Sequence, residues 1–132
     1  SLMKQILLGL AAVFIATAAY AADPAKVGDT SLGKVWTDQN GMTLYTFDKD
    51  TKGATTSACT GKCIAAWPPF VAAAGAAAEG DWTLVDATDK DGKAVKMWAY
   101  DGLPLYLFVK DKAAGDVTGE GVGDVWHVAK AD

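Results

Sequence analysis

The sequence contains no arginine: each of its 12 basic residues is a lysine. The planar fork that grips phosphate or carboxylate at two points is therefore missing, which disfavours a dedicated anion-recognition site. Sixteen acids outweigh the lysines and leave a net charge of −4, so nucleic acid and anionic membrane surfaces are disfavoured as partners. Histidine occurs once, at His127, and no G-x-S-x-G is present, so a Ser-His-acid triad has nothing to be built from. A carboxylate-pair glycosidase needs only two acids, yet none here is set apart by its surroundings. Long apolar runs are also scarce, since the one candidate, Ile6 to Ala19, is short for a bilayer span.

That run has the marks of a secretory signal. Lys4 supplies the positive n-region, and Ala19-Tyr20-Ala21 supplies an A-x-A cleavage site ahead of Ala22-Asp23-Pro24. The expectation is a signal peptide over 3–21 and a domain over 22–132, soluble after cleavage, in the periplasm or secreted. Ser1-Leu2 precede Met3 and read as an expression scar. No cysteine lies at the cleavage site to receive acyl chains, so no lipid anchor is expected.

Cysteine is limited to Cys59 and Cys63. In a small exported domain an even count reads first as a disulfide, and residues four apart on a helical turn over Thr60 to Ala66 lie roughly 6 Å apart, within bridging range. The same pair suggests an alternative, a copper site in which His127, Met42 or Met97 completes a soft ligand shell. A thioredoxin-like role is weaker, because three residues separate the cysteines where that motif needs two.

What is abundant is aromatic and repeated. Asn40-Gly41-Met42-Thr43-Leu44-Tyr45-Thr46-Phe47-Asp48-Lys49-Asp50 recurs as Asp101-Gly102-Leu103-Pro104-Leu105-Tyr106-Leu107-Phe108-Val109-Lys110-Asp111, with Trp67 echoed by Trp126. The dipeptides Asn40-Gly41, Asp91-Gly92 and Asp101-Gly102 separate β-favouring runs and predict hairpins. Trp82 to Val109 then reads as a three-stranded meander, and Val125 to Ala129 as a last strand. Alternation puts Tyr45 and Phe47 on one strand face and Leu44 and Thr46 on the other. Ala72 to Gly80 reads equally as a short helix or a linker, and the glycine-rich Lys112 to Gly123 reads as a mobile loop.

The two Tyr-x-Phe-x-x-Asp runs, with Cys59-Thr60-Gly61-Lys62-Cys63 to Trp67-Pro68-Pro69 between them, resemble the secreted bacterial repeats described as predicted lipoproteins with a Y-x-[FWY]-x-x-D motif. The resemblance implies export and a repeat-built domain. It brings no biochemical activity with it.

The fold expected is mainly β: two pseudo-repeat antiparallel units, about 33–72 and 82–129, packed into one small domain with a short helical turn near the cysteines. Asp50 and Asp111 are candidate ligands, but an aspartate just past a strand more often accepts backbone N–H bonds in the turn. Tyr45, Phe47, Tyr106 and Phe108 are candidate platform residues, but aromatics alternating on a strand more often pack a core. Five tryptophans, Trp36, Trp67, Trp82, Trp98 and Trp126, open a further reading, glycan stacking on an exposed ring. The leading expectation is a non-enzymatic binding module without cofactor, acting on a partner in the periplasm or cell envelope.

Overall fold

The computed structural model describes residues 23–132, so the signal-peptide reading of 3–21 and the assignment of Ser1-Leu2 lie outside the described residues. Two hairpins frame the chain. The first joins β1 (Lys26–Thr30) to β2 (Gly33–Thr37), and the second joins β4 (Trp82–Thr88) to β5 (Ala94–Tyr100). Each is followed by a tight turn into the repeated motif: β3 (Tyr45–Phe47) in the first copy and β6 (Leu103–Pro104) in the second.

The turn chemistry follows the sequence. Asp38 Oδ1 accepts the N–H groups of Asn40 and Met42, and Asp89 Oδ1 accepts those of Asp91 and Lys93, the same aspartate-led loop used twice. At Asp101-Gly102 both residues have positive φ, 51° and 80°, as a two-residue hairpin turn requires. The meander β4-β5-β6 forms, but its third strand spans only Leu103–Pro104 and does not run on to Val109. β1 is an addition, giving the first copy the hairpin that the sequence had disclosed only in the second.

The last strand departs from expectation. β7 (Trp126–Val128) belongs to the second copy, yet it pairs antiparallel with β3 of the first, Tyr45 opposite Val128 and Phe47 opposite Trp126. The exchange is reciprocal: Phe70 N–H donates to Leu105 O at 2.9 Å and Leu107 N–H to Pro68 O at 2.9 Å, so the first copy's tail lies along the second copy's motif strand. Beyond these contacts the tails run on to the hairpins, Ala131 N–H to Lys34 O and Ala72 N–H to Lys96 O. The motif strands themselves meet at a pseudo-twofold, where Tyr45 and Tyr106 exchange N–H···O bonds of 2.8 and 2.9 Å. The two copies are interwoven within one small domain.

Strand alternation divides the interior in two. Tyr45, Phe47, Tyr106 and Phe108 point into one cluster with Trp67, Trp126, Cys59 and Ile64. Leu44 and Leu105 point the other way, into a cluster with Trp36, Phe70, Trp82 and Trp98. Helix α1 (Lys62–Ala66) is one turn long and buries Ile64 against the first cluster. The disulfide Cys59–Cys63 braces it, with Cα atoms 5.3 Å apart. A ring this small contributes about 2 kcal/mol by loop closure and fixes a local turn.

Lys112 to Gly123, expected as a mobile loop, is anchored. Asp116 accepts the N–H groups of Lys112 and Ala113, which holds its carboxyl below the usual carboxylate range, and its carbonyl accepts the Thr43 hydroxyl at 2.7 Å. The glycines there serve close packing as well as turning. A Cβ on Gly119 would stand 2.7 Å from the Trp67 ring and 2.8 Å from the Tyr45 ring. The loop is glycine-rich partly because an aromatic core lies directly beneath it.

Candidate functional site

The motif residues converge on the pseudo-twofold. Tyr45 Oη donates to Asp111 Oδ2 at 2.5 Å, and Tyr106 Oη donates to Asp50 Oδ2 at 2.7 Å, so each copy's tyrosine is held by the other copy's aspartate. The second oxygen of each carboxylate closes its own loop: Asp50 Oδ1 accepts Ala58 N–H, and Asp111 Oδ1 accepts the N–H and hydroxyl of Thr118. Tyr45 Oη also accepts Gly119 N–H at 3.1 Å. Ser57 Oγ lies 2.6 Å from Tyr106 Oη; with the tyrosine proton directed at Asp50, the serine is the donor.

Burial pushes the Tyr45 hydroxyl far above its ordinary range, and Asp111 adds to the shift. Burial does the same to Tyr106; Asp50 reinforces it and Ser57 opposes it. Burial also raises the Asp50 carboxyl, against the pull of Tyr106 and Ala58 N–H. Both tyrosines therefore remain protonated donors, and the latch stays formed across the physiological range.

Between the two latches runs a four-ring stack, Phe108–Trp67–Trp126–Phe47, with centroid separations of 4.0, 3.8 and 4.1 Å and interplanar angles of 14°, 4° and 10°. Tyr45 meets Trp67 edge-on at 5.3 Å and Tyr106 meets Trp126 edge-on at 5.1 Å, which repeats the twofold in the side chains. The favourable edge-to-face geometry locks ring orientation as well as burying area. The side-chain polar atoms of the motif tyrosines and aspartates are all engaged, one oxygen of each carboxylate across the two copies and the other within its own loop.

The remaining candidates take no part in the latches. Cys59 and Cys63 are bonded to each other, and Cys59 is 3% exposed. His127 sits on β7 with both ring nitrogens engaged, Nε2 with Asp48 Oδ2 at 2.8 Å and Nδ1 with Glu120 Oε2 at 3.0 Å. Asp48 first and Glu120 second raise the histidine above its ordinary value. Burial works against the Glu120 charge, but Val128 N–H and His127 together hold that carboxyl below the usual range. Met97 is fully buried in the aromatic core, and among the described residues no group of three His, Cys, Asp or Glu side chains could hold a metal ion.

Every tryptophan is less than one-tenth exposed, so the flat open ring required for glycan stacking is absent among the described residues. Packing the rings against one another accounts for this, because two indoles stack in one core and three meet in the other.

Three of these indoles nevertheless line a surface groove. Trp82 lies opposite Tyr100 across β4 and β5, and Trp98 is two residues from Tyr100 on the same face. Trp36 from the first copy packs edge-on against Trp82 at 5.0 Å and tilted by 55° against Tyr100 at 5.0 Å. Its buried Nε1 has no acceptor among the described residues. Above these rings the segment 73–81, neither a helix nor a free linker, stands as a wall. It is tied down by Ala72 N–H to Lys96 O and by mutual bonds between Glu79 and Trp82. The space between is an open groove of about 750 Å³.

A family model described as a secreted repeat of unknown function matches the chain twice, over residues 26–71 and 86–130. The chain belongs to that family of secreted repeats. The first matched segment takes in β1 and the second begins within β4, and each contains one Tyr-x-Phe-x-x-Asp run whose tyrosine and aspartate form the reciprocal latches. No curated protein and no solved structure matches the chain. Among the described residues no helix is long and apolar enough to cross a membrane.

Several residues escaped the sequence reading: Asp48 and Glu120 around His127, Ser57 and Thr118 behind the latches, and Tyr100 in the groove. Tyr100 had a usable signal, since it alternates with Trp98 on a β-run and precedes a turn dipeptide.

Proposed function

We propose that this secreted repeat is a non-enzymatic binding module of the periplasm or cell envelope, and that it takes its ligand in the groove above Trp36, Trp82, Trp98 and Tyr100. One observation carries the reading. The groove is an aromatic-floored concavity of about 750 Å³, within the size range of small-molecule sites, in a molecule whose motif residues are otherwise engaged in holding the fold. Its position favours binding too. Both copies build it, Trp36 from one hairpin and Trp82, Trp98 and Tyr100 from the other, so it sits at a junction of structural units.

The test uses the five tryptophans as reporters. With ¹⁵N-labelled indoles, titration of a fragment library is expected to shift the signals of Trp36, Trp82 and Trp98 and to leave those of Trp67 and Trp126, in the other core, in place. An Ala77→Phe variant, which fills the groove from its exposed wall, abolishes the shifts. Shifts confined to Trp67 and Trp126, or shifts that survive Ala77→Phe, overturn the assignment.

A further inference from the structure

Beyond the groove, we propose that the outer edge of β1 is a docking site for an extended, uncharged, serine- and threonine-rich segment of a partner polypeptide, which adds to the hairpin as a short parallel strand. The two hairpins are equivalent. Asp29 faces Lys34 across the first as Asp86 faces Lys96 across the second, and both make an ion pair. Their inner strands are completed alike by the exchanged tails: Lys34 and Trp36 bond Ala131 and Ala129, and Lys96 and Trp98 bond Ala72 and Phe70. The backbone groups of Lys34 and Trp36 therefore point away from β1, and those of Asp29 and Val27, directly opposite, point outwards from β1 on its other side.

The corresponding edge of the second hairpin is filled. Asp86 N–H donates to Thr55 O at 2.8 Å and Ser57 N–H donates to Asp86 O at 3.1 Å, so Thr55-Thr56-Ser57 lies parallel to β4. The edge of the first hairpin is open. Among the described residues, Val27 and Asp29 make no backbone hydrogen bond beyond the hairpin, and Val27 is 50% exposed. One residue accounts for the difference. The repeat places Asp116 where the first copy has Thr55, but the Asp116 carbonyl is taken by the buried Thr43 hydroxyl at 2.7 Å. Where the first copy has Thr43 the second has Pro104, which carries no donor, and Thr55 O remains free for Asp86. The 112–118 loop thus stays beside the Asn40-Gly41 turn, where a Cβ on Gly41 would stand 3.0 Å from that of Ala114. A slot of about 420 Å³ lies between β1 and Ala114-Gly115.

The fold fills this strand position with its own chain in one copy and leaves it open in the other. An edge with its donors and acceptors aligned, and with neither proline nor bulge, is a template for one more strand. Lys26 and Asp29, of opposite sign, border the slot, so charge favours neither an acidic nor a basic segment. The occupant of the equivalent position, Thr55-Thr56-Ser57, sets the kind.

The experiment titrates the ¹⁵N-labelled full chain with an acetylated, amidated peptide of residues 53–58, Gly-Ala-Thr-Thr-Ser-Ala, and with the same peptide methylated at its serine nitrogen. At about 5 mM peptide the amide signals of Val27 and Asp29 are expected to shift and exchange of the Asp29 N–H to slow. Asp86, whose edge is already filled, stays in place. The methylated peptide lacks the donor for Asp29 O and should bind at least about fivefold more weakly. Asp29→Pro removes the outward N–H without touching a bond to β2, and should abolish binding with the Trp36 indole signal unmoved. Equal binding of the two peptides, or no movement of Val27 and Asp29, overturns the proposal. Movement of the same signals with protein concentration alone overturns it in favour of a second copy of the chain on that edge.

Discussion

Replacing Tyr45 by phenylalanine removes one oxygen from the centre of the molecule, and the structure fixes what is lost. The ring is fully buried, its hydroxyl donates to the buried Asp111 carboxylate at 2.5 Å, and it accepts Gly119 N–H at 3.1 Å. A hydrogen bond to a charged group contributes about 1.5–3 kcal/mol, and a stranded buried N–H costs at least about 1 kcal/mol more. The expected loss is about 3 kcal/mol. Tyr106→Phe breaks the sister latch, but Asp50 is only half-buried and solvent replaces part of the bond, so about 1.5 kcal/mol is expected. In a chain of this size these correspond to falls in Tm of roughly 12 °C and 6 °C. Urea unfolding of the oxidised protein, with Asp111→Asn completing a double-mutant cycle, measures both the asymmetry and the coupling. A Tyr45–Asp111 coupling of at least about 1 kcal/mol is expected. Equal losses for the two tyrosines, or additivity in the cycle, would refute the reciprocal latch as the source of the motif.

Two further perturbations address other parts of the fold. Gly119→Ala forces a methyl to within 2.7 Å of Trp67 and 2.8 Å of Tyr45, and overpacking against rings that cannot give way should cost about 2 kcal/mol, read by urea unfolding and by an altered near-ultraviolet dichroism of the stacked indoles. His127→Gln tests the carboxylate clamp. Because Asp48 and Glu120 raise the histidine, its contribution is complete below the ordinary imidazole value of about 6.5 and is lost as pH rises through the raised one. Wild type should therefore exceed the variant most below about pH 6.5 and converge with it as pH rises above that, and a gap that widens with pH would contradict the clamp. Asp50, also raised, slopes the same way in both proteins and cancels in the difference.

Much of the architecture was legible because it is written locally. The turn dipeptides marked the hairpins, and alternation along Leu44 to Phe47 put Tyr45 and Phe47 on one strand face and Leu44 on the other, the faces that the two cores turn out to occupy. The spacing of Cys59 and Cys63 allowed the bridge that braces α1. The exchange of tails was hidden for a physical reason: in an exact repeat, the pairing of a strand with its own copy and with the other copy satisfies the same pattern, and only chain connectivity and loop length separate them. Asp111 illustrates the same point. Its position after a strand suggested a backbone acceptor, one oxygen does accept Thr118 N–H, and the partner of the other lies 66 residues away in sequence. The groove was less legible still, since it depends on how Trp36 of one hairpin meets Trp82 of the other.

The exchanged tails also set an order of events. Trp126–Val128 completes the edge of the strand that holds Tyr45, so the first half of the molecule stays unfinished until nearly the whole chain has been delivered. A protein that emerges from a membrane amino end first therefore exposes an unpaired edge and one face of Phe47 throughout its passage, and both become safe together when the C-terminal strand docks. Loss of those final residues is a failure of closure for both copies, however intact the first one is.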